Sequence, residues 1–106
     1  MSRLPYRRLL IAVALTAAVA AVFWPILGHD FVNYDDDEYI TGNPWVQQGL
    51  TAESLRWAWT TTHFYWHPLT WMSHMLDWEL FGPWAGGHHA VSLALHAANT
   101  LLVFLL

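Results

Sequence analysis

Residues 31–40, FVNYDDDEYI, set four consecutive acids, Asp35, Asp36, Asp37 and Glu38, among aromatic and apolar neighbours. The run holds half of the chain's eight acids and follows a long apolar stretch by only a few residues. A run of like charge is usually a solvated loop. At the mouth of a membrane helix, two chemistries suit it. A carboxylate can take a proton from an attacking hydroxyl, or carboxylates can hold a divalent cation through hard oxygen ligands. Glycosyl transfer from a lipid-phosphate donor in the outer leaflet is one reaction that needs such a base. Asp35 and Asp37 also have the Asp-x-Asp spacing that holds a metal in soluble nucleotide-sugar enzymes. Those enzymes are α/β folds, and no alternation of strands and helices is legible here.

Histidines supply the second set of candidates. In HPLTWMSHMLDWELFG, His67, Thr70, His74 and Asp77 recur at spacings of three, four and three. At about 100° per residue they fall within an arc of about 80° on one helix face. A narrow polar stripe on an apolar helix faces water or a partner, or makes hydrogen bonds to a neighbouring helix. His88, Ser92, His96 and Asn99 repeat the theme further on, where polar groups within a span face a bundle interior or a wet cavity. A modest hydrogen-bonded helix contact is the plainer reading of Ser92 and Asn99. His63 and His67 have the spacing of a helical metal pair, but Pro68 drives His67 out of the helical region, so the pair straddles a break. A haem on His88 or His96 has only the histidines of one helix to argue for it.

The elements that must position these residues follow from hydropathy. Residues 9–27, LLIAVALTAAVAAVFWPIL, form an uncharged run of 19. At about 1.5 Å per residue, this is close to the 20 or so residues that cross a bilayer core. Arg3, Arg7 and Arg8 precede it and all eight acids follow it, which predicts a cytoplasmic N-terminus. A cleaved signal peptide is the rival, with Ala18 and Ala20 as the small-residue pattern. The apolar run continues past both, to Leu27, as a retained anchor would. A second uncharged segment, residues 88–106, ends on LLVFLL without a polar flank, which predicts a truncated helix of a longer polytopic protein.

The expected layout is a cytoplasmic tail (1–8), a first membrane helix (9–27), an outer loop (28–87) and a second membrane helix (88–106). This is an all-α membrane fold. The loop carries seven of the eight Trp, so it is not expected to be disordered. NP at 43–44 and QG at 48–49 mark turns. Thr51 is a suitable N-cap for a helix with Glu53 in its first turn and with Leu55 and Trp59 sharing a face. Pro68 opens a second helix that runs to about Phe81, before GPWAGG breaks it. Too short to span, the two are expected to lie along the outer membrane surface, or else to pack against the rest of the protein.

Composition excludes several classes. The chain is 56% hydrophobic and 11% charged, against roughly 25% charged in soluble domains. A net charge of −4 without a basic patch argues against a nucleic-acid partner. The absence of Cys excludes disulfides and thiolate zinc sites.

Three segments together, FVNYDDDEYITGNP, WHPLTWMSHMLD and GHHAVSLALHAANTLLVFLL, carry a resemblance over most of the chain from about residue 9. They are similar to the N-terminus of GT-C class membrane glycosyltransferases. Among these, the transmembrane tetratricopeptide-repeat O-mannosyltransferase-like family and its bacterial relatives are the nearest likeness. That family carries paired acids in its first outer loop. Its pattern of Asp-Asp, Ile and Asn fits Asp35, Asp36, Ile40 and Asn43, while Asp37 and Glu38 fall where the family varies. The resemblance implies that Asp35 and Asp36 are catalytic, or ligands of a divalent cation if one is used. His67 stands where a basic residue often precedes Pro-Leu-Thr. His67, His74, His89 and His96 are the implied contacts to a lipid phosphate, and Ser92 replaces a frequent Asn. The implied donor is a polyprenyl-phosphate-linked sugar, and the implied acceptor is a hydroxyl, on a protein in the nearest likeness. The implied place is a bacterial inner membrane crossed by many more helices, with helical repeats beyond. A small two-span binding or assembly protein is the alternative.

Overall fold

A computed structural model describes residues 3–32 and 34–106. Its regular structure is entirely helical, with no strand among the described residues. The chain divides into two compact units, one made of the segment up to Leu27 with His89–Leu106, the other of Gly28–His88.

In the first unit, α1 spans Arg3–Phe23 and continues as a 3-10 turn over Trp24–Gly28. Helix therefore begins within the expected tail, six residues ahead of the apolar run. Pro5 suits a first helical turn, where its missing N–H costs nothing, and Arg7 and Arg8 are good helix formers. Pro25 tightens the far end into 3-10 geometry. Pro5–Gly28 and Ala85–Leu105 are each long and apolar enough to cross a membrane. Helix α5, Ala85–Leu105, also starts earlier than expected, taking in Gly86 and Gly87. Both glycines are buried, and a Cβ at Gly87 would run into the ring of Phe81. Close approach, not helix breaking, is what Gly87 provides here.

In the second unit, a π-helical turn (Asp37–Thr41) leads into α2 (Pro44–Gln47), α3 (Ala52–Thr60) and α4 (Pro68–Phe81). NP therefore opens a one-turn helix rather than a simple turn. Asn43 caps it by accepting from the N–H groups of Trp45 (3.0 Å) and Val46 (3.2 Å). Gly49 makes the following turn with φ of +70°, a conformation that glycine adopts without penalty. Thr51 caps α3 as expected, in a reciprocal box: its Oγ1 accepts from Ser54 N–H (3.1 Å) and Ser54 Oγ accepts from Thr51 N–H (2.9 Å).

The core consists of Val46, Ala58, Trp71 and Met75, with Tyr39, Leu50, Trp57, Met72 and Trp78 around it. Thus α3 and α4 pack on each other, and the face α3 buries is Ser54 and Ala58, not Leu55 and Trp59. Small side chains there let α3 come close to the bulky Trp71. Trp59, Trp66 and Leu69 stay exposed.

Candidate functional site

The acids sit on a turn whose backbone is fully specified. The Asp35 carbonyl accepts from the N–H groups of Glu38 and Tyr39, both at 3.0 Å. The Asp37 carbonyl accepts from Gly42 N–H at 2.7 Å, the five-residue bond that defines the π turn. Any Cβ at Gly42 would lie 2.6 Å from that same oxygen. The turn is then tied to α2 from two sides. Asn43 Nδ2 donates to the Glu38 carbonyl (3.0 Å), and Gln47 Nε2 donates to the carbonyls of Ile40 (3.1 Å) and Thr41 (2.8 Å). Ile40 and Asn43 are both buried.

The four carboxylates are differently employed. Asp36 Oδ2 accepts from Val32 N–H (2.9 Å) and so closes the chain leading into the turn. Asp37 Oδ1 accepts from Glu38 N–H (3.0 Å), and Glu38 Oε2 pairs with His63 Nε2 (3.2 Å). The Asp35 carboxylate is exposed and takes no hydrogen bond among the described residues. Among the described residues nothing donates to the Asp35 carboxylate, so its oxygens remain open to a donor or a cation from outside. Asp36 holds the turn.

Beneath the turn lies an aromatic platform. Tyr39 is sandwiched between Trp71 (centroids 4.6 Å, 16° between planes) and Phe64 (5.3 Å, 5°). Phe64 adopts φ of +62°, an uncommon conformation for a residue with a Cβ, and it does so in the segment that completes this sandwich. The Tyr39 hydroxyl is 3.5 Å from His67 Nε2, and the His74 ring stands edge-on to Tyr39 at 5.8 Å. Burial, then the charge of Asp35, then Tyr65, push the Tyr39 phenol above its ordinary range, so it stays a donor. Burial, with His88 and His67, holds the His74 imidazole below the usual histidine range, Asp36 pulling the other way. At neutral pH, His74 is therefore uncharged and can act as a hydrogen-bond donor but not as a cation.

The α4 stripe is thus only partly the hydrogen-bonded contact that its spacing allowed. His67 and His74 turn to Tyr39 and Thr70 is exposed. Asp77 is 5% exposed, without a hydrogen bond among the described residues, and burial raises its carboxyl above the ordinary range against the pull of His88. His88 Nε2 donates to the Gly82 carbonyl (2.8 Å), while Nδ1 of His74 and of His88 are buried without a hydrogen-bond partner among the described residues.

The rings of His67 and His74 meet Tyr39 and the charge of Asp35 acts on its phenol, while Asp36 acts on His74. His89 and His96 belong to the first unit, where His96 stands edge-on to Phe23 at 5.0 Å. Ser92 and Asn99 are exposed and make no hydrogen bond among the described residues. No group of three or more His, Asp or Glu side chains among the described residues is arranged to hold a metal ion. Sequence reasoning passed over Tyr39, Phe64 and the Glu38–His63 pair. The signal available was an aromatic residue directly after four acids, in a loop dense in Trp and His. Neither a protein-family model, nor a curated protein, nor a solved structure matches this chain.

Proposed function

We propose that this chain is the N-terminal part of a membrane glycosyltransferase of the GT-C kind, with Asp35 as the general base. The observation that carries the reading is the exposed Asp35 carboxylate, which takes no hydrogen bond among the described residues, on a turn pinned by Asp36, Asn43 and Gln47. In the reaction, Asp35 takes the proton of an acceptor hydroxyl as its oxygen bonds to C1 of the sugar. The C1–O bond to the polyprenyl phosphate breaks, and the phosphate leaves with the electron pair. Removing such a base costs about 10²–10⁴-fold in rate. In this reading His67 and neutral His74 donate hydrogen bonds to the leaving phosphate, and the roles of His89 and His96 rest on the resemblance alone. A divalent cation on Asp35 would be a second use of the same free carboxylate.

The reading carries a topology: a bacterial inner membrane protein, N-terminus cytoplasmic, with the loop 28–87 on the outer side. Arg7 and Arg8 before the apolar segment and the acids after it support this orientation. Reporter fusions at residue 50 of the natural protein should report an outer location, and a cytoplasmic signal would refute the topology. The enzymatic reading is tested by incubating the purified natural protein with a labelled polyprenyl-phosphate sugar. Label should appear on a protein hydroxyl with matching release of polyprenyl phosphate. Donor binding without turnover by any acceptor would favour the two-span binding protein instead.

A further inference from the structure

A groove apart from the free Asp35 carboxylate combines flat aromatic faces with charged hydrogen-bonding groups. It has a volume of about 330 Å³ and is lined by Glu38, Asn43, Trp45, Trp57 and His63, together with Gly42 and Pro44. Ligand pockets run from roughly 300 to 1,000 Å³, so this lies at the small end. Trp45 and Trp57 lie nearly parallel, 9° between planes and 6.0 Å between centroids. Trp45 is in the first turn of α2, its backbone N–H donating to Asn43 Oδ1, and Trp57 stands edge-on to the buried Trp71 at 4.7 Å. Trp45 remains 36% exposed.

Glu38 and His63 also line the groove, paired at 3.2 Å with side chains about half exposed (51% and 49%). Glu38 offers acceptor oxygens and His63 a ring nitrogen on a neighbouring segment. The exposed pair is worth little to stability on its own, since solvent competes for both partners. An indole face carries negative π density that attracts the electropositive C–H edge of an aliphatic ring. A carboxylate and an imidazole beside it suit vicinal hydroxyls. One ligand class presents an axial array of C–H groups on one face and hydroxyls around its rim.

We propose that the Trp45–Trp57 groove is a pyranose-binding site, with Trp45 stacking on the sugar ring and Glu38 and His63 bonding its hydroxyls. The identity of the sugar's carrier rests on the glycosyltransferase reading, in which Glu38 lies on the same turn as Asp35. The groove would then hold either the sugar of the lipid donor or one on a glycosylated acceptor.

The test uses the full chain in detergent micelles with methyl α-mannopyranoside as probe, read by saturation-transfer NMR. Saturation should concentrate on ring C–H protons of one face. Trp45→Ala should weaken binding by about tenfold or more, Trp45→Phe should retain part of it, and Glu38→Gln should weaken it several-fold. Displacement by a short-chain prenyl-phosphate mannose assigns the site to the donor, and displacement by a mannose-terminated glycopeptide assigns it to the acceptor. No transfer of saturation up to the solubility of the glycoside would overturn the proposal. So would binding unchanged in both Trp45→Ala and Glu38→Gln. Asp35→Asn separates this from the enzymatic reading: sugar binding should survive in that variant. Binding that persists while Asp35→Asn stays fully active removes the base and leaves the groove. Activity that needs Asp35, in a protein that binds no sugar at this groove, does the reverse.

Discussion

Tyr39 lies flat on Trp71, ring centroids 4.6 Å apart, and this stack joins the acidic turn to α4. Trp71 is fully buried, so the turn rests on a side chain that cannot move without disturbing the core. A catalytic carboxylate on a loop gains most when its loop is held in this way, because misplacement by even an ångström is costly in rate.

Tyr39→Ala is expected to destabilise the Gly28–His88 unit by about 2–4 kcal/mol, through lost burial and lost aromatic pairing. Tyr39→Phe keeps both faces of the ring and should cost less than about 1 kcal/mol. Chemical unfolding followed by near-ultraviolet circular dichroism distinguishes the two. Equal losses would show that the hydroxyl near His67, not the stack, does the holding.

Asn43 works in both directions, capping α2 with its oxygen and binding the Glu38 carbonyl with its amide. Asn43→Ala should cost about 1–3 kcal/mol, since it strips a cap and orphans a carbonyl together. Asn43→Asp keeps the cap and loses the amide donor, so it should fall between. The same unfolding measurement applies, and a neutral Asn43→Ala would show that the turn is not held from this side.

Two buried groups give stability opposite dependences on pH. The folded pKa of Asp77 is raised, so its contribution is fully present below about 3.8 and is lost as pH rises through the folded value. That of His74 is lowered, so its contribution is present above about 6.5 and is lost as pH falls through the lowered folded value. Asp77→Asn should therefore be more stable than the natural protein at pH 7, with the gap closing towards acid. His74→Gln should flatten the loss on the acid side of 6.5. Unfolding midpoints across a pH series give both slopes, and parallel curves for all three proteins would contradict the assignment.

Local signals were legible because their causes are local. Thr51 and Pro68 mark helix starts by bonds and dihedrals within one turn, and both helices begin where those residues say. The two apolar segments are equally direct, although their ends shifted because Pro5 fits a first turn and Gly87 fits under Phe81. The acidic turn was visible in its residues but not in how they divide their hydrogen bonds. Nothing in the spelling DDDE says that Asp36 turns back to Val32 while Asp35 stays free. That difference depends on a π turn fixed from outside by Asn43 and Gln47. The sandwich of Tyr39 needs Phe64 at positive φ, which no propensity would suggest for a phenylalanine. The burial of Ser54 and Ala58 in place of Leu55 and Trp59 is a tertiary choice, set by the size of Trp71 opposite.

The most direct measurement is the single-turnover transfer rate of labelled sugar from a polyprenyl-phosphate donor, compared among Asp35→Asn, Asp36→Asn and Asp37→Asn in the natural protein. An amide keeps the size of the carboxylate but cannot take the proton. Asp35→Asn should lower the rate by about 10²–10⁴-fold with expression and membrane insertion intact. Asp36→Asn retains an oxygen for Val32 N–H, so its loss should be smaller and come with a looser turn, and Asp37→Asn should stay within a few-fold of the natural rate. A near-normal rate for Asp35→Asn, or the same mild loss in all three variants, would contradict the assignment of Asp35 as the base.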